Sequence, residues 1–223
     1  MAKFRAPYLY TETRLNLDQA YANSTIDITL SKTGNHDRRL YNDVRIGSDE
    51  AQYSRDHLSS EASLFFRSDE RCPRSFLWRL LDDRRALEIQ AVDLSQDQKQ
   101  KNEAILTLLL RFPAAIRPFC IAFADQAERD ALNVFAITTT DELWTLTLHR
   151  DLFVHAKNTE TLPTDWCKVT KPSMFAVTTP FRLFSSTARE LFVSMKDGQV
   201  VRLTRRAGED GSKWHDSVYS EGS

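Results

Sequence analysis

The chain is 223 residues long, 41 % hydrophobic and 27 % charged, a balance that excludes wholesale disorder and suits one or two globular domains. Its 30 Lys and Arg stand against 31 Asp and Glu, a formal net charge of −1, so no bulk field draws it to nucleic acid or to an anionic membrane. Cys72, Cys120 and Cys167 form no CxxC or Cys/His cluster and read as small core residues in a reducing compartment. No signal-peptide apolar core opens the chain and no apolar run is long enough to span a bilayer, which points to the cytoplasm or nucleus.

Residues 1–23 mix polar and aromatic side chains. Residues 24–31 then alternate cleanly, with Ile26, Ile28 and Leu30 on one side and Thr25, Asp27 and Thr29 on the other. This is a strand by its period, of the kind a closed propeller uses to complete its last blade. Between residues 32 and 63 the hydrophobic period vanishes, and the segment reads as a long polar surface insertion with a short helix near 49–58. The chain therefore divides into 1–60, a strand plus insertion, and 61–223, a series of β repeats.

Strands are predicted at 62–66, 76–81 and 87–94, a charged loop at 96–103, and strands at 104–112 and 116–124 split by Pro113. Residues 132–148, LNVFAITTTDELWTLTL, are two β-rich runs around a polar turn, the composition of a hairpin. A helical turn is expected at 151–157, a loop at 158–165, and short strands at 166–169, 174–177 and 181–185. A further hairpin covers 190–195 and 200–205 with Asp197-Gly198 at its turn, and 214–219 reads as an outer strand.

The hairpins copy one another. A shift of 57 places, from Val134 to Leu191, also puts Phe192 on Phe135, Val193 on Ala136, Leu203 on Leu146 and the turn KDG (196–198) on TTD (139–141). The same shift backwards puts Leu77 on Val134, Trp78 on Phe135 and Ile89 on Leu146, with a turn at Asp82 to Arg84. Three hairpins in one register, near 75–94, 132–151 and 189–208, indicate an all-β, partial β-propeller of about three blades, or a β-repeat array. The competing reading is unrelated hairpins in a β-sandwich. Closed propellers have about four to eight blades. Three are expected to leave an apolar face and a strand edge uncovered, as in the amino-terminal part of a longer ring.

Motifs for chemistry are sparse. GEDGSK (208–213) lacks phosphate-loop spacing and reads as a turn between strands. Histidines 36, 57, 149, 155 and 215 are scattered surface residues. The arginine pairs at 38–39, 84–85 and 205–206 read as solvated turn charge. Tryptophans 78, 144, 166 and 214 could form a peptide cage, but packing between blades is the simpler role. The strands placed innermost, 119–124 and 181–185, offer Phe, Ile, Ala and Ser, and Asp125 reads as a turn cap. No catalytic, cofactor-binding or metal residue is assigned.

Several strings, in the same order from about residue 8 onward, together resemble one family. They are YTETRLNL (10–17), PRSFLWRLL (73–81), LRFPAAIRP (110–118), ALNVFAIT and DELWTLTL (131–148), DWCK (165–168), LFVSMKDGQVVRLTRRAGEDGSKW (191–214) and SEG (220–222). The family is the fungal nucleoporin 120/160 family, large arm subunits of the Y-shaped complex in the nuclear pore scaffold. The resemblance implies a seven-bladed amino-terminal propeller leading into a long α-helical domain. It also implies a structural subunit without catalysis, cofactor or small-molecule substrate, sited in the nuclear pore complex at the nuclear envelope. Partners would be other Y-complex nucleoporins, and the service nucleocytoplasmic transport and mRNA export. The family continues well past these residues, so ring closure and helical-domain contacts are not carried over. Two rival readings stand beside it: a WD-repeat-like propeller adaptor that binds a peptide, and a propeller enzyme with polar residues converging on the axis.

Overall fold

Eight consecutive residues, Ala131–Thr138, are buried along their whole length, so the strand they form is dry on both faces. The computed structural model describes residues 24–42, 60–67, 73, 75–92, 107–154, 165–208 and 213–219. The helix expected near 49–58, the loop expected at 96–103, and Cys72 lie outside them. The described chain is all-β with one four-residue helix, α1 (Asp151–Val154).

Three sheets follow one another. The first contains β1 (Ser24–Thr29), β2 (Asp37–Asn42), β3 (Glu61–Phe66), β4 (Ser75–Leu81), β5 (Ala86–Val92) and β6 (Thr107–Arg111), in the order β2-β1-β6-β5-β4-β3. The second contains β7 (Ile116–Gln126), β8 (Ala131–Thr138), β9 (Leu143–His149) and β10 (Cys167–Thr170), in the order β10-β9-β8-β7. The third contains β11 (Pro180–Thr187), β12 (Glu190–Met195), β13 (Val200–Thr204) and β14 (His215–Tyr219), in chain order. Within them β3–β6, β7–β10 and β11–β14 each form a four-stranded antiparallel meander, the arrangement of propeller blades.

Packing follows from strand alternation. One buried cluster joins Phe76, Leu80, Leu87 and Ile89 of the first sheet to Val134, Trp144, Leu146 and Leu148 of the second. Another joins Phe135, Ile137 and Leu143 of the second to Leu191, Val193, Val201 and Leu203 of the third. The 57-residue register is thus a register of faces. Val134 and Leu191 each point toward the preceding sheet, and Trp78 and Phe135 toward the following one. At the turn, Arg84, Asp141 and Gly198 fall on one another and all have positive φ, at 70°, 60° and 87°, which only the glycine adopts without steric cost.

The copy breaks once. In the second and third hairpins Val134 pairs with Leu146 and Leu191 with Leu203, but in the first Leu77 pairs with Gln90. Ile89, expected opposite Leu77, faces the other way and pairs with Trp78. The cause is the first turn. It holds four residues between the Leu81 and Ala86 pair, and Asp82, Asp83 and Arg84 are all left-handed. One extra residue flips the side of every residue beyond it.

Other expectations are revised. The early strand β1 closes no last blade; it lies parallel to β6, with Ile26 beside Leu108 and Ile28 beside Leu110, and its apolar side adds to the first core. Residues 37–42, read as part of the polar insertion, form β2 antiparallel to β1. Sequence period missed it because DRRLYN has only one aliphatic residue. Residues 174–177, read as a strand, lie instead in and just after a 3-10 turn at Ser173–Ala176. There the Phe175 and Val177 N–H groups donate to Pro172 and Met174 carbonyls, and Phe175 plugs the second core.

The outer faces of the first and third sheets are mixed rather than apolar. The third carries Phe184, half of it exposed, and Phe192 beside a Ser186–Glu190–Arg202 network. The first carries Arg79–Glu88 and Arg111–Asp27 pairs.

Phe135 and Phe192 occupy one repeat position, covered in the first case and half-buried in the second. Phe135→Ala should therefore cost about 3–5 kcal/mol, and Phe192→Ala roughly half that or less. Urea denaturation followed by circular dichroism measures both; equal losses would contradict this assignment of faces.

Candidate interaction site at the inner strands

One edge strand from each of the three sheets, β3, β7 and β11, lines an open cleft of about 500 Å³. Its walls include Trp78, Phe119, Phe123, Arg182 and Phe184. The inner positions of β7 and β11 agree with the sequence reading. Small residues allow the approach: Ala122 and Ala124 are both buried in the second core with Leu183. The Ser185 hydroxyl donates to the Phe123 carbonyl, and Phe123 in turn stacks near Trp78 and Phe65, at 5.2 and 5.9 Å.

Charge seals the inner edge. Arg67, just past β3, donates from Nε to Asp125 at 3.0 Å and from Nη2 to Asp130 at 2.7 Å, and its side chain is only 3 % exposed. Asp125 is therefore part of an ion-pair network tying the first sheet to the β7–β8 turn. Glu61 accepts from Arg84 Nη2 at 2.5 Å and from the Phe119 backbone N–H at 3.0 Å. Arg84 also donates to the Ile116 and Arg117 carbonyls. This clamp holds Phe119 at φ 57°, a left-handed backbone that costs a non-glycine residue of order 1–3 kcal/mol. The strain displays the Phe119 ring in the cleft, with the Arg182 guanidinium 5.9 Å from it and 5.0 Å from the Phe184 ring.

The residues singled out in the sequence land as follows. All four tryptophans pack and form no cage. Trp144 meets Phe112 edge-on at 5.5 Å, Trp166 meets His36 at 5.1 Å and Trp214 meets Phe135 at 5.9 Å. His36 is no free surface histidine: its Nδ1 accepts the Ser31 N–H at 3.0 Å, and burial lowers its pKa. His149 and His215 lie on β9 and β14, apart from one another; His57 and His155 lie outside the described residues. Of the arginine pairs, Arg84 and Arg205 are not solvated turn charge. Arg84 forms the clamp, and Arg205 lies 5.3 Å from the Trp214 ring centroid. Arg39 pairs with the exposed Asp37 at 3.1 Å. Sequence reasoning missed Arg67, Glu61 and Phe119 because their partners are distant in the chain and no local period marks them.

Burial pushes the Cys120 and Cys167 thiols up to about 12, which suits core residues and not nucleophiles. Among the described residues no three His, Cys, Asp or Glu side chains group as metal ligands, and no helix is long and apolar enough to cross a membrane.

Radial four-stranded meanders, joined by apolar cores and by arginine–carboxylate pairs at their inner edge, define a class: the blades of a β-propeller. A family model described as Nucleoporin Nup120/160, beta-propeller domain, matches residues 74–223. Nucleoporin NUP120 of Chaetomium thermophilum is 33 % identical over 221 residues, covering 95 % of this chain and 17 % of that protein. The chain belongs to the nucleoporin 120/160 family, and that membership places it in the nuclear pore complex at the nuclear envelope.

Two outcomes follow from the site. Arg67→Ala removes a guanidinium only 3 % exposed from its contacts with Asp125 and Asp130, and should cost about 3 kcal/mol in chemical denaturation; a loss under about 1 kcal/mol would show the network to be idle. Thiols with raised folded pKa keep their full stabilising effect below about 9 and lose it as pH climbs toward about 12. Denaturation midpoints should fall over that window, and less steeply in Cys120→Ala.

Proposed function

We propose that these blades are a structural, non-catalytic part of the Y-shaped outer-ring scaffold of the nuclear pore, supporting nucleocytoplasmic transport and mRNA export. Their partners on this reading are other nucleoporins of that complex, met through blade faces, edges and turns. The observation that carries the proposal is the likeness to Nucleoporin NUP120 along almost the whole chain, joined to an inner edge whose carboxylates, Glu61, Asp125 and Asp130, are engaged by arginines of the same fold. Catalytic propeller carboxylates must be free to take or give protons; these are committed to packing the blades together.

On the same reading residues 61–223 are the repeats and 1–60 an amino-terminal addition, of which β1 and β2 widen the first blade. The ring is completed by further blades, seven in all, in the longer protein. The alternative, an adaptor that reads a peptide, draws on one feature: Arg182 set between the exposed Phe119 and Phe184 at the cleft.

The protein tagged at its own locus should give a fluorescent rim at the nuclear envelope and co-purify with outer-ring nucleoporins. A diffuse signal, with migration only as a small free species, would overturn the scaffold reading and move weight to the adaptor.

A further inference from the structure

Arginines from three turns lie at the same end of the second and third blades. Arg129 belongs to the 3-10 turn Ala127–Arg129 between β7 and β8, Arg189 to the turn between β11 and β12, and Arg205 follows β13. The Arg205 backbone N–H donates to the Arg189 carbonyl at 2.9 Å, and its Nη2 donates to the Ala188 carbonyl at 3.1 Å. Its guanidinium lies over Trp214, which is itself braced edge-on by Phe135. Arg205 is thus held in place before any ligand arrives.

These three cations lack what other arginines of the fold have. Arg67, Arg79, Arg84, Arg111, Arg117 and Arg202 each pair with a carboxylate. Among the described residues Arg129, Arg189 and Arg205 make no ion pair. They are also close enough to feel one another: after burial, the charges of Arg189 and Arg129 lower the Arg205 pKa. Like charges gathered without a counter-ion destabilise a fold unless an anion neutralises them.

We propose that this cluster is a docking point for a short acidic segment of a partner protein, whose Asp or Glu carboxylates pair with guanidinium groups that no described carboxylate engages. Planar guanidinium forks pair two-pronged with carboxylates. The patch is small, Glu128 adjoins Arg129, and the chain as a whole carries −1. That setting suits a few discrete carboxylates better than the continuous charge of a nucleic acid or a membrane. The site lies on turns rather than in the cleft, and the proposal does not depend on the scaffold reading.

The test is fluorescence anisotropy of capped hexaglutamate, with capped hexaglutamine as control, titrated with the 223-residue chain at low salt and at about 0.15 M. Hexaglutamate should bind, and weaken with salt; hexaglutamine should not bind. The double variant R129Q/R189Q changes only exposed side chains and should weaken binding by about tenfold or more with an unchanged circular dichroism spectrum. Arg205→Lys keeps the charge but loses the fork and should weaken it several-fold. Absence of hexaglutamate binding, or equal affinity in the double variant, would overturn the proposal. So would tighter binding of single-stranded RNA or phosphatidylserine vesicles with the same dependence on the two arginines.

Discussion

The central strands of the middle sheet, β8 and β9, have almost no wet face, and the rest of the fold is arranged to supply them with two dry neighbours. Along β8, Leu132, Val134 and Ala136 go to one core and Phe135 and Ile137 to the other, so the strand reads ALNVFAIT with almost no polar alternation. Such a strand is stable only between two layers. The buried Asn133 is satisfied within the sheet: its amide donates to Gln126 and accepts from Thr147. Each sheet therefore has a forward and a backward face, and the forward face of one fits the backward face of the next.

Apolar faces alone would let the blades slide or splay, because hydrophobic contact has no direction. Directed contacts fix them. Arg67 bridges from the first sheet to both ends of the β7–β8 corner, Arg84 carries the β4–β5 turn onto the start of β7, and Lys32 reaches Glu142 on the β8–β9 turn. Buried ion pairs gain little net energy once desolvation is counted. Their geometry is demanding, however, and that is what sets the angle between blades. Phe119 shows the cost of holding it: the same Glu61 that pairs with Arg84 also fixes a strained backbone.

Much of the architecture was legible because it rests on local alternation. The 57-residue register survives as a register of faces at Val134 and Leu191, of forward aromatic positions at Trp78 and Phe135, and of left-handed turn residues at Arg84, Asp141 and Gly198. What was illegible is of two kinds. β2 carries charge where a strand usually carries aliphatics, since it is an outermost strand paired on one side only, so no pattern announces it. The Arg67 network and the Glu61 clamp join residues about 60 places apart in the chain, and pairing at that distance leaves no periodic trace. The arginine pairs misled for the same reason: a basic doublet beside a turn looks solvated until the far carboxylate or indole that meets it is known.

The slip in the first hairpin then acquires a purpose in the architecture. Had β5 kept the spacing of β9 and β13, Leu87 and Ile89 would point backward, as Leu146 and Leu203 do, onto a face that no described sheet covers. The additional turn residue sends them forward instead, into the core shared with the second sheet, and leaves Glu88 and Gln90 on the back. There Glu88 meets Arg79, while Asp27 of β1 meets Arg111 of β6. A single inserted residue thus converts one copy of the repeat from a sheet needing apolar cover on both sides into one whose back face carries ion pairs beside a small apolar cluster of Leu81, Ala86 and Leu109. Parallel addition of β1 beside β6 completes that change, since it brings Ile26 and Ile28 to the forward core and Asp27 to the charged back. The first blade is in this way distinguished from its copies by register rather than by composition, which is why the repeat could be seen in the sequence and its asymmetry could not.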